Sequence, residues 1–443
     1  MQKLRKTAWL LALSQYWGAV LATSISSTLG PFSPAMLTTQ LIDYAHNAPF
    51  APSKDIPRVL GLSIFYPTAT NTTVATSYWP PENAAEESEG DITAGVNITY
   101  QGLLSLTVPL APPNTSIAAP PVNAWFSSWP VLFFSPAFGE TRFLYTSLLR
   151  QISSIGYVVI TFETAYDTSV FVLANGTVVP GNSTLDNVSA EQATLSATAR
   201  AEDASFILDH AHDNITWLIP GCKDTCVNTT NVGMFGHSIG GAASATAMFT
   251  DSRIIGGLNY DGALLGPVVQ KGLSHRPFLI FGTQNQSRHN TGPLTTLTNW
   301  TTVWPRIKEA PKWWLLLNHS RHYTFSDLPL IAQKLGVKPN QTSLVAAQLT
   351  DADAERNEKV LVTYTAAFFK SVFTGKVQEL MKGKSNKWPE VIFDSFSLNE
   401  KSRKGVNETD VQPVDNGARE QKARARGMAL GMGLLALVIS TYI

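Results

Sequence analysis

Charged residues are scarce in this sequence: Asp, Glu, Lys and Arg make up 15% of its 443 residues, against about 25% in an average soluble protein. The 33 basic and 33 acidic residues balance, so the formal net charge is zero. No basic patch stands out before the C-terminal segment, and we therefore expect no nucleic-acid partner. The 44% apolar content allows a large core in one or two domains.

Cysteine is nearly absent as well. Cys222 and Cys226 are the only two, separated by three residues. A metal site needs more ligands than two thiols, and none is suitably spaced nearby. We therefore expect a small disulfide loop here and no metal.

The apolar runs at the two ends of the chain fall short of the roughly 20 residues that span a bilayer. At the N-terminus, the apolar run 8–21 follows a basic start and closes at Ala22. A basic start, a short apolar run and a small residue at its end are the layout of a cleaved leader. The pattern predicts a secretory signal peptide over residues 1–22.

The C-terminus carries a second processing pattern. A 16-residue apolar tail, 428–443, follows a polar linker over 401–427, which contains the small residues Asn416, Gly417 and Ala418. This arrangement is typical of a GPI-attachment signal, and Asn416 is the predicted attachment residue. A tail-anchor helix is the alternative. We expect a protein of the secretory pathway, held at the cell surface by a lipid anchor.

Thirteen Asn-x-Ser/Thr sequons fit this location. Such a density in a chain with a signal peptide predicts heavy glycosylation on exposed loops. The asparagines are Asn71, Asn97, Asn114, Asn175, Asn182, Asn187, Asn214, Asn228, Asn285, Asn299, Asn318, Asn340 and Asn407.

The central part of the chain alternates between short apolar runs and longer helical patterns. Short runs of this kind are typical of parallel strands that are buried on both faces. The alternation predicts an α/β-hydrolase domain over residues 23–400, with a mostly parallel central sheet and helices on both faces. Residues 24–56 are expected to be irregular. Strands are predicted at 58–67, 103–108, 131–134, 157–161, 232–235, 254–260, 278–281 and 313–317, and helices at 141–154, 189–212 and 239–249.

A G-x-S-x-G motif lies at Gly236, Ser238 and Gly240. Chance alone would produce this pattern in such a chain with odds on the order of 0.1, so the setting carries the argument. An apolar strand ends just before the motif and a helix of small residues starts just after it. That is the context of a nucleophile elbow, in which the flanking glycines avoid a collision. Ser238 is the predicted nucleophile.

A serine nucleophile needs a base that is oriented by a third group. Among the eight histidines, His322 and His319 follow the last strong strand. His319 lies inside the Asn318 sequon, so His322 is the predicted base. Asp261 ends the strand after the elbow helix and is the predicted acid, whereas Asp251 precedes that strand, at the wrong edge of the sheet.

The oxyanion of an acyl transfer needs two backbone N–H donors. One is expected at Ile239, directly after the nucleophile. The other should come from the loop after the strand at 131–134, where Pro136 has no N–H. Phe138 is the predicted second donor.

These motifs in their combined order resemble the platelet-activating factor acetylhydrolase family over roughly residues 55–330. One departure is Pro136-Ala137, where the family usually has His-Gly. The segments that carry the resemblance are Phe133-Phe134-Ser135-Pro136-Ala137-Phe138-Gly139 with Arg142 and Tyr145, Gly236-His237-Ser238-Ile239-Gly240-Gly241, Tyr260-Asp261-Gly262, and His322-Tyr323-Thr324-Phe325-Ser326-Asp327.

The resemblance implies calcium-independent hydrolysis of short or oxidised acyl esters of phospholipids, with no metal and no organic cofactor. A general short-chain esterase or lipase is an alternative, and a triad alone does not exclude a peptidase. A third alternative, from another functional class, is an inactive hydrolase fold that serves in surface binding. Nothing in the sequence indicates the oligomeric state.

Overall fold

The computed structural model describes residues 22–398, except for 26–27, 82, 84–94, 182–187, 212–215, 224, 289–297, 339–347 and 351. The predicted signal peptide apart from Ala22, the linker with Asn416 and the apolar tail lie outside the described residues. So do five of the sequons, at Asn182, Asn187, Asn214, Asn340 and Asn407.

Sixteen strands are found in the described residues, and nine of them form one central sheet. In chain order they are β1 (Thr23–Ser24), β2 (Ser33–Asn47), β3 (Pro57–Thr68), β4 (Val74–Ser77), β5 (Leu106–Leu110), β6 (Trp129–Ser135), β7 (Val158–Thr164), β8 (Val170–Val172), β9 (Val178–Pro180), β10 (Val227–His237), β11 (Ile254–Tyr260), β12 (Leu273–Ser274), β13 (Phe278–Thr283), β14 (Ile307–Lys308), β15 (Lys312–Leu317) and β16 (Val391–Ser397).

The order of strands in the central sheet is β16-β15-β13-β11-β10-β6-β7-β3-β2. The six strands from β15 to β7 are all parallel to one another. Strands β2 and β3 on one side and β16 on the other are antiparallel to their neighbours. The sheet is therefore mostly parallel, as predicted, with antiparallel edges.

Eight α-helices accompany these strands in the described part of the chain. They are α1 (Tyr100–Ser105), α2 (Thr146–Ser154), α3 (Ala190–His210), α4 (Ile239–Thr250), α5 (Pro267–Lys271), α6 (Trp300–Val303), α7 (Leu328–Leu335) and α8 (Ala354–Thr374). The start of α3 is the predicted one, since Ser189 and Gln192 form a capping box.

Strand β6 shows how the sheet separates two cores. All seven of its residues are buried, and alternate side chains point to opposite faces. Phe134 packs in a cluster that includes Leu148 of α2 and Phe369 of α8. Phe133 packs in a second cluster, with Ala204 of α3 and Ala243 of α4. Helices therefore cover both faces of the sheet, as the apolar strands predicted.

The expectation that residues 24–56 are irregular is wrong. Strand β2 spans 15 residues of this segment and pairs antiparallel with β3 from Ser33 opposite Thr68 to Asn47 opposite Pro57. Only three of its 15 residues are buried, and the others are half-buried or exposed, because it lies at the edge of the sheet. A half-exposed edge strand needs few apolar residues, and its sequence pattern is correspondingly weak.

The two cysteines lie away from the carboxyl ends of the parallel strands. Cys222 and Cys226 form a disulfide, with Cα atoms 5.4 Å apart, just before the start of β10. In the described residues, no helix is both long and apolar enough to pass through a membrane.

Candidate active site

Ser238 lies in the tight turn between β10 and α4. Its backbone has φ 55° and ψ −120°, a conformation that side-chain-bearing residues rarely adopt. Its N–H donates to the Tyr260 carbonyl at 2.8 Å, and its carbonyl accepts from the Gly241 N–H at 2.9 Å. The turn is thus held on both sides, and the Ser238 side chain is placed at the carboxyl end of the parallel strands.

Both glycines of the motif are needed for this turn. A Cβ atom on Gly240 would lie 1.9 Å from the Ser135 carbonyl oxygen, and one on Gly236 would lie 2.3 Å from the Gly240 carbonyl carbon. Both neighbours are backbone atoms, which have little freedom to move. The predicted steric role of Gly236 and Gly240 agrees with this geometry.

Asp261 and His322 are brought together at the same edge of the sheet. His322 Nδ1 lies 2.7 Å from Asp261 Oδ2, and both residues are 2% exposed. The other carboxylate oxygen accepts hydrogen bonds from the Thr283 N–H and from Gln286 Nε2, each at 2.8 Å. The carboxylate is fixed from two directions and leaves Nε2 of His322 as the ring nitrogen not held by the acid.

The histidine also lies close to the nucleophile turn. The ring of His237, the residue before Ser238, has its centroid 4.5 Å from the centroid of the His322 ring. The two residues set aside from the sequence lie elsewhere. His319 is exposed, and Asp251 forms an ion pair with Arg253 ahead of β11.

The two predicted oxyanion donors are neighbours in space. Phe138 and Ile239 pack in one small buried cluster with Phe50 and Ala242. In the loop after β6, the Ala137 N–H donates to Tyr145 Oη at 3.1 Å and the Gly139 N–H donates to the Asp167 carbonyl at 3.2 Å. Phe138 lies between Ala137 and Gly139, whose N–H groups are both used in these hydrogen bonds. Ile239 is the first residue of α4, where N–H groups have no intrahelical partner.

Arg200 is a residue of this site that the sequence did not reveal. Its guanidinium, on α3, is 6% exposed and donates to the carbonyl of Pro136, to the carbonyl of Ala137 at 3.3 Å and to Ser135 Oγ at 3.2 Å. Asp167 binds the same guanidinium at 2.8 and 3.1 Å. The loop with Pro136-Ala137 is therefore held through its carbonyl groups. An arginine among the buried alanines of α3 was the available signal.

Asp327 anchors the segment that carries His322. Its carboxylate accepts from the N–H groups of Ser147 at 2.6 Å and Leu148 at 3.1 Å, in the first turn of α2, and from Tyr78 Oη. Burial, and then the nearby Glu358 carboxylate, raise the pKa of Asp327 to about 8. The segment after the histidine is thus tied to α2 by a buried carboxyl group.

The described residues contain no group of three or more His, Cys, Asp or Glu side chains arranged to hold a metal ion. The groups near Ser238 are a hydroxyl in a strained turn, a carboxylate-bound imidazole and the backbone of Phe138 and Ile239, whose side chains share one buried cluster. Groups of these kinds can support acyl transfer.

Residues 53–183 match the family model described as platelet-activating factor acetylhydrolase, isoform II. A curated protein of Arthroderma benhamiae, named "Probable 1-alkyl-2-acetylglycerophosphocholine esterase", is 34% identical over 274 residues. That alignment covers 60% of this chain and 66% of the relative, a little under two thirds of its length. These matches confirm the resemblance expected from the motifs.

A solved structure has the same fold. The ferulic acid esterase from Streptomyces cinnamoneus superposes with a TM-score of 0.68 at 24% identity, over 84% of this chain and 99% of that one. At this identity the likeness concerns the fold alone. The predicted α/β-hydrolase architecture is confirmed.

Proposed function

We propose, from the relation of this chain to the platelet-activating factor acetylhydrolase family, that it is a carboxylic ester hydrolase acting on short or oxidised acyl esters of phospholipids. One observation carries the reaction type: the buried Asp261–His322 pair, 2.7 Å between Nδ1 and Oδ2, lies at the sheet edge where the Ser238 turn is built. The relative's printed name supports the substrate class.

In the proposed reaction, Asp261 holds the Nδ1–H of His322, so that Nε2 accepts the Ser238 hydroxyl proton as Oγ attacks the ester carbonyl carbon. The N–H groups of Phe138 and Ile239 donate to the oxyanion. His322 then returns the proton to the departing alcohol, which leaves an acyl group on Ser238. Water attacks this acyl-enzyme in the same way and releases the free acid.

The Ser238→Ala variant tests the reaction type. We expect kcat for p-nitrophenyl acetate to fall by at least about 10³-fold, because the acyl intermediate no longer forms. Ser252→Ala, at an exposed serine after α4, is the matched control and should keep wild-type turnover. Unchanged turnover in Ser238→Ala, or no labelling of the wild type by a fluorophosphonate, would contradict the proposal.

The substrate class needs its own experiment. We expect hydrolysis of phosphatidylcholines with graded sn-2 chains to be fastest with acetyl or short oxidised chains. Equal rates across chain lengths, with Ser238-dependent turnover of simple esters, would instead favour a general short-chain esterase.

Secretion and lipid anchoring are proposed from the sequence. In support, none of the eight sequon asparagines within the described ranges is buried, and the two cysteines are paired as a disulfide. Release of the protein from intact cells by a phosphatidylinositol-specific phospholipase is expected. Retention after this treatment would favour the tail-anchor alternative.

A further inference from the structure

Two loops meet beside Ser238 and lie about 180 residues apart in the sequence: residues 135–139, here called the oxyanion loop, and residues 318–327, here called the histidine loop. We propose that Tyr145 and His237 are positioning residues that couple the oxyanion loop to the histidine loop through one buried chain of contacts. This inference rests on the proposed function, because it concerns how the same site holds its geometry.

The first part of the chain of contacts starts in the oxyanion loop. The Ala137 N–H donates to Tyr145 Oη at 3.1 Å, and Tyr145 Oη lies 2.9 Å from Nδ1 of His237. Tyr145 and His237 are both 0% exposed. The Tyr145 ring packs against Phe134 with centroids 4.7 Å apart, so its hydroxyl has little freedom to leave this position.

The direction of one hydrogen bond is fixed and that of the other is assigned. The Ala137 N–H can only donate, so Tyr145 Oη accepts from it. We assign the hydroxyl proton to the hydrogen bond with His237 Nδ1, since the buried hydroxyl then donates as well as accepts. His237 is then neutral, with its proton assigned to Nε2. Burial favours the neutral form of both side chains, because it raises the pKa of Tyr145 and lowers the pKa of His237.

The second part reaches the histidine loop. The His237 ring lies 4.5 Å from the His322 ring and stacks on Phe325, centroid to centroid 6.2 Å. Nε2 of His237 is buried and has no hydrogen bond of good geometry within the described residues. The backbone of His322 is the group that favours a proton on His237. His237 thus supports the segment that carries the base.

Neutrality of His237 suits the reaction. His322 becomes an imidazolium ion when it accepts the Ser238 proton, and a second positive charge at 4.5 Å would oppose it in this buried site. A neutral ring with one defined tautomer fills the space without that repulsion. Tyr145 supplies the donor that selects this tautomer.

The test uses Tyr145→Phe, His237→Asn and the double variant in the full chain. Each single change interrupts the chain of contacts at one point while the triad remains: Tyr145→Phe removes the hydroxyl, and His237→Asn removes the ring beside His322. In either variant kcat for p-nitrophenyl acetate should fall by on the order of 10- to 100-fold, with KM changed less than about threefold. Because both residues act as one unit, the loss of kcat in the double variant should not exceed the loss in the less active of the two single variants.

Tyr157→Phe is the matched control. Tyr157 is also buried and also donates its hydroxyl to a backbone carbonyl, that of Ala366 at 3.0 Å, but it lies outside the site. It should lose stability without a change in kcat. A merely structural role for Tyr145 would give the same result in Tyr145→Phe, and that result would overturn the inference.

Three further outcomes are distinct. A wild type that neither hydrolyses esters nor reacts with a fluorophosphonate defeats the proposed function itself. An active wild type with additive losses in the double variant overturns only the coupling. If Tyr145→Phe does not fold, His237→Asn, which keeps an acceptor near the position of Nδ1, provides the same comparison of kcat with KM, and an unchanged kcat overturns the inference.

Discussion

The two carboxylate oxygens of Asp261 have different partners in the site. One carboxylate oxygen accepts from His322 Nδ1, and the other accepts from the Thr283 N–H and Gln286 Nε2. Its backbone has a positive φ of 50°, which is uncommon for a residue other than glycine. The carboxylate is therefore held in place before any substrate binds.

Replacement of Asp261 by Asn should lower kcat by about 10³- to 10⁴-fold, because an amide that donates to Nδ1 stabilises the wrong tautomer of His322. Steady-state kinetics with p-nitrophenyl acetate measure the effect. Asp251→Asn, which changes the carboxylate ahead of β11, should keep wild-type kcat. Near-normal turnover of Asp261→Asn would contradict the proposed role.

At this scale, sequence reasoning selects residues that directly follow a strand, and it missed residues that are defined by tertiary contacts. Ser238, Asp261 and His322 each follow a recognisable apolar strand. Arg200 and the link from Tyr145 to His237 act through partners far away in the chain. No local pattern specifies which carbonyl a guanidinium will bind, although a charge within a buried helix face indicates that a partner exists.

At the scale of elements, buried strands and capped helices were the predictable parts. Strand β11 and the start of α3 agree with the sequence expectation, because full burial and a capping box leave strong local signals. Helix α8 was not assigned, although Asp353 at its N-terminus and Gly375, in the left-handed conformation after its end, are available signals. Strand β2 was missed because an exposed edge strand shows little alternation.

The contact between α2 and the histidine loop gives a pH prediction. The folded state raises the pKa of Asp327 from 3.8 to about 8. The buried titratable groups that face it are Tyr78, Tyr145, Glu358 and Arg150. Because the folded state binds this proton more tightly than the unfolded chain does, the carboxyl group contributes its full stabilisation below about pH 4. This contribution is lost as the pH rises toward 8.

Asp327→Asn should therefore reduce the fall in unfolding free energy between pH 4 and pH 8. One proton accounts for at most about 1.4 kcal/mol per pH unit. Urea unfolding of both proteins at several pH values in this range measures the difference. Equal slopes for the variant and the wild type would contradict the expectation.

On the scale of the whole molecule, β10 joins two regions with different roles. The disulfide lies just before its first residue, Val227, and the nucleophile turn follows its last residue, His237. A strand extends about 3.3 Å per residue, so the 11 residues of β10 place the disulfide well away from the site.

The double change Cys222→Ser and Cys226→Ser should lower the unfolding free energy by at most about 2 kcal/mol, because such a short loop restricts the unfolded chain only slightly. The value of kcat should remain at the wild-type level. Thermal unfolding and ester hydrolysis of the same preparation measure the two effects. A large loss of kcat in a folded variant would show that the disulfide influences the site.

Strand β2 has a consequence for any shortened version of the protein. The family match begins at residue 53, so a fragment trimmed to that boundary would lack β2 and leave the outer edge of β3 without its hydrogen-bonding partner. Bare strand edges recruit other chains. Light scattering should therefore report multimers for a 53–398 fragment and a single species for 23–398, which keeps β1 as well as β2. Strand β2, whose sequence pattern is weak, would therefore protect the molecule from self-association by covering the outer edge of β3.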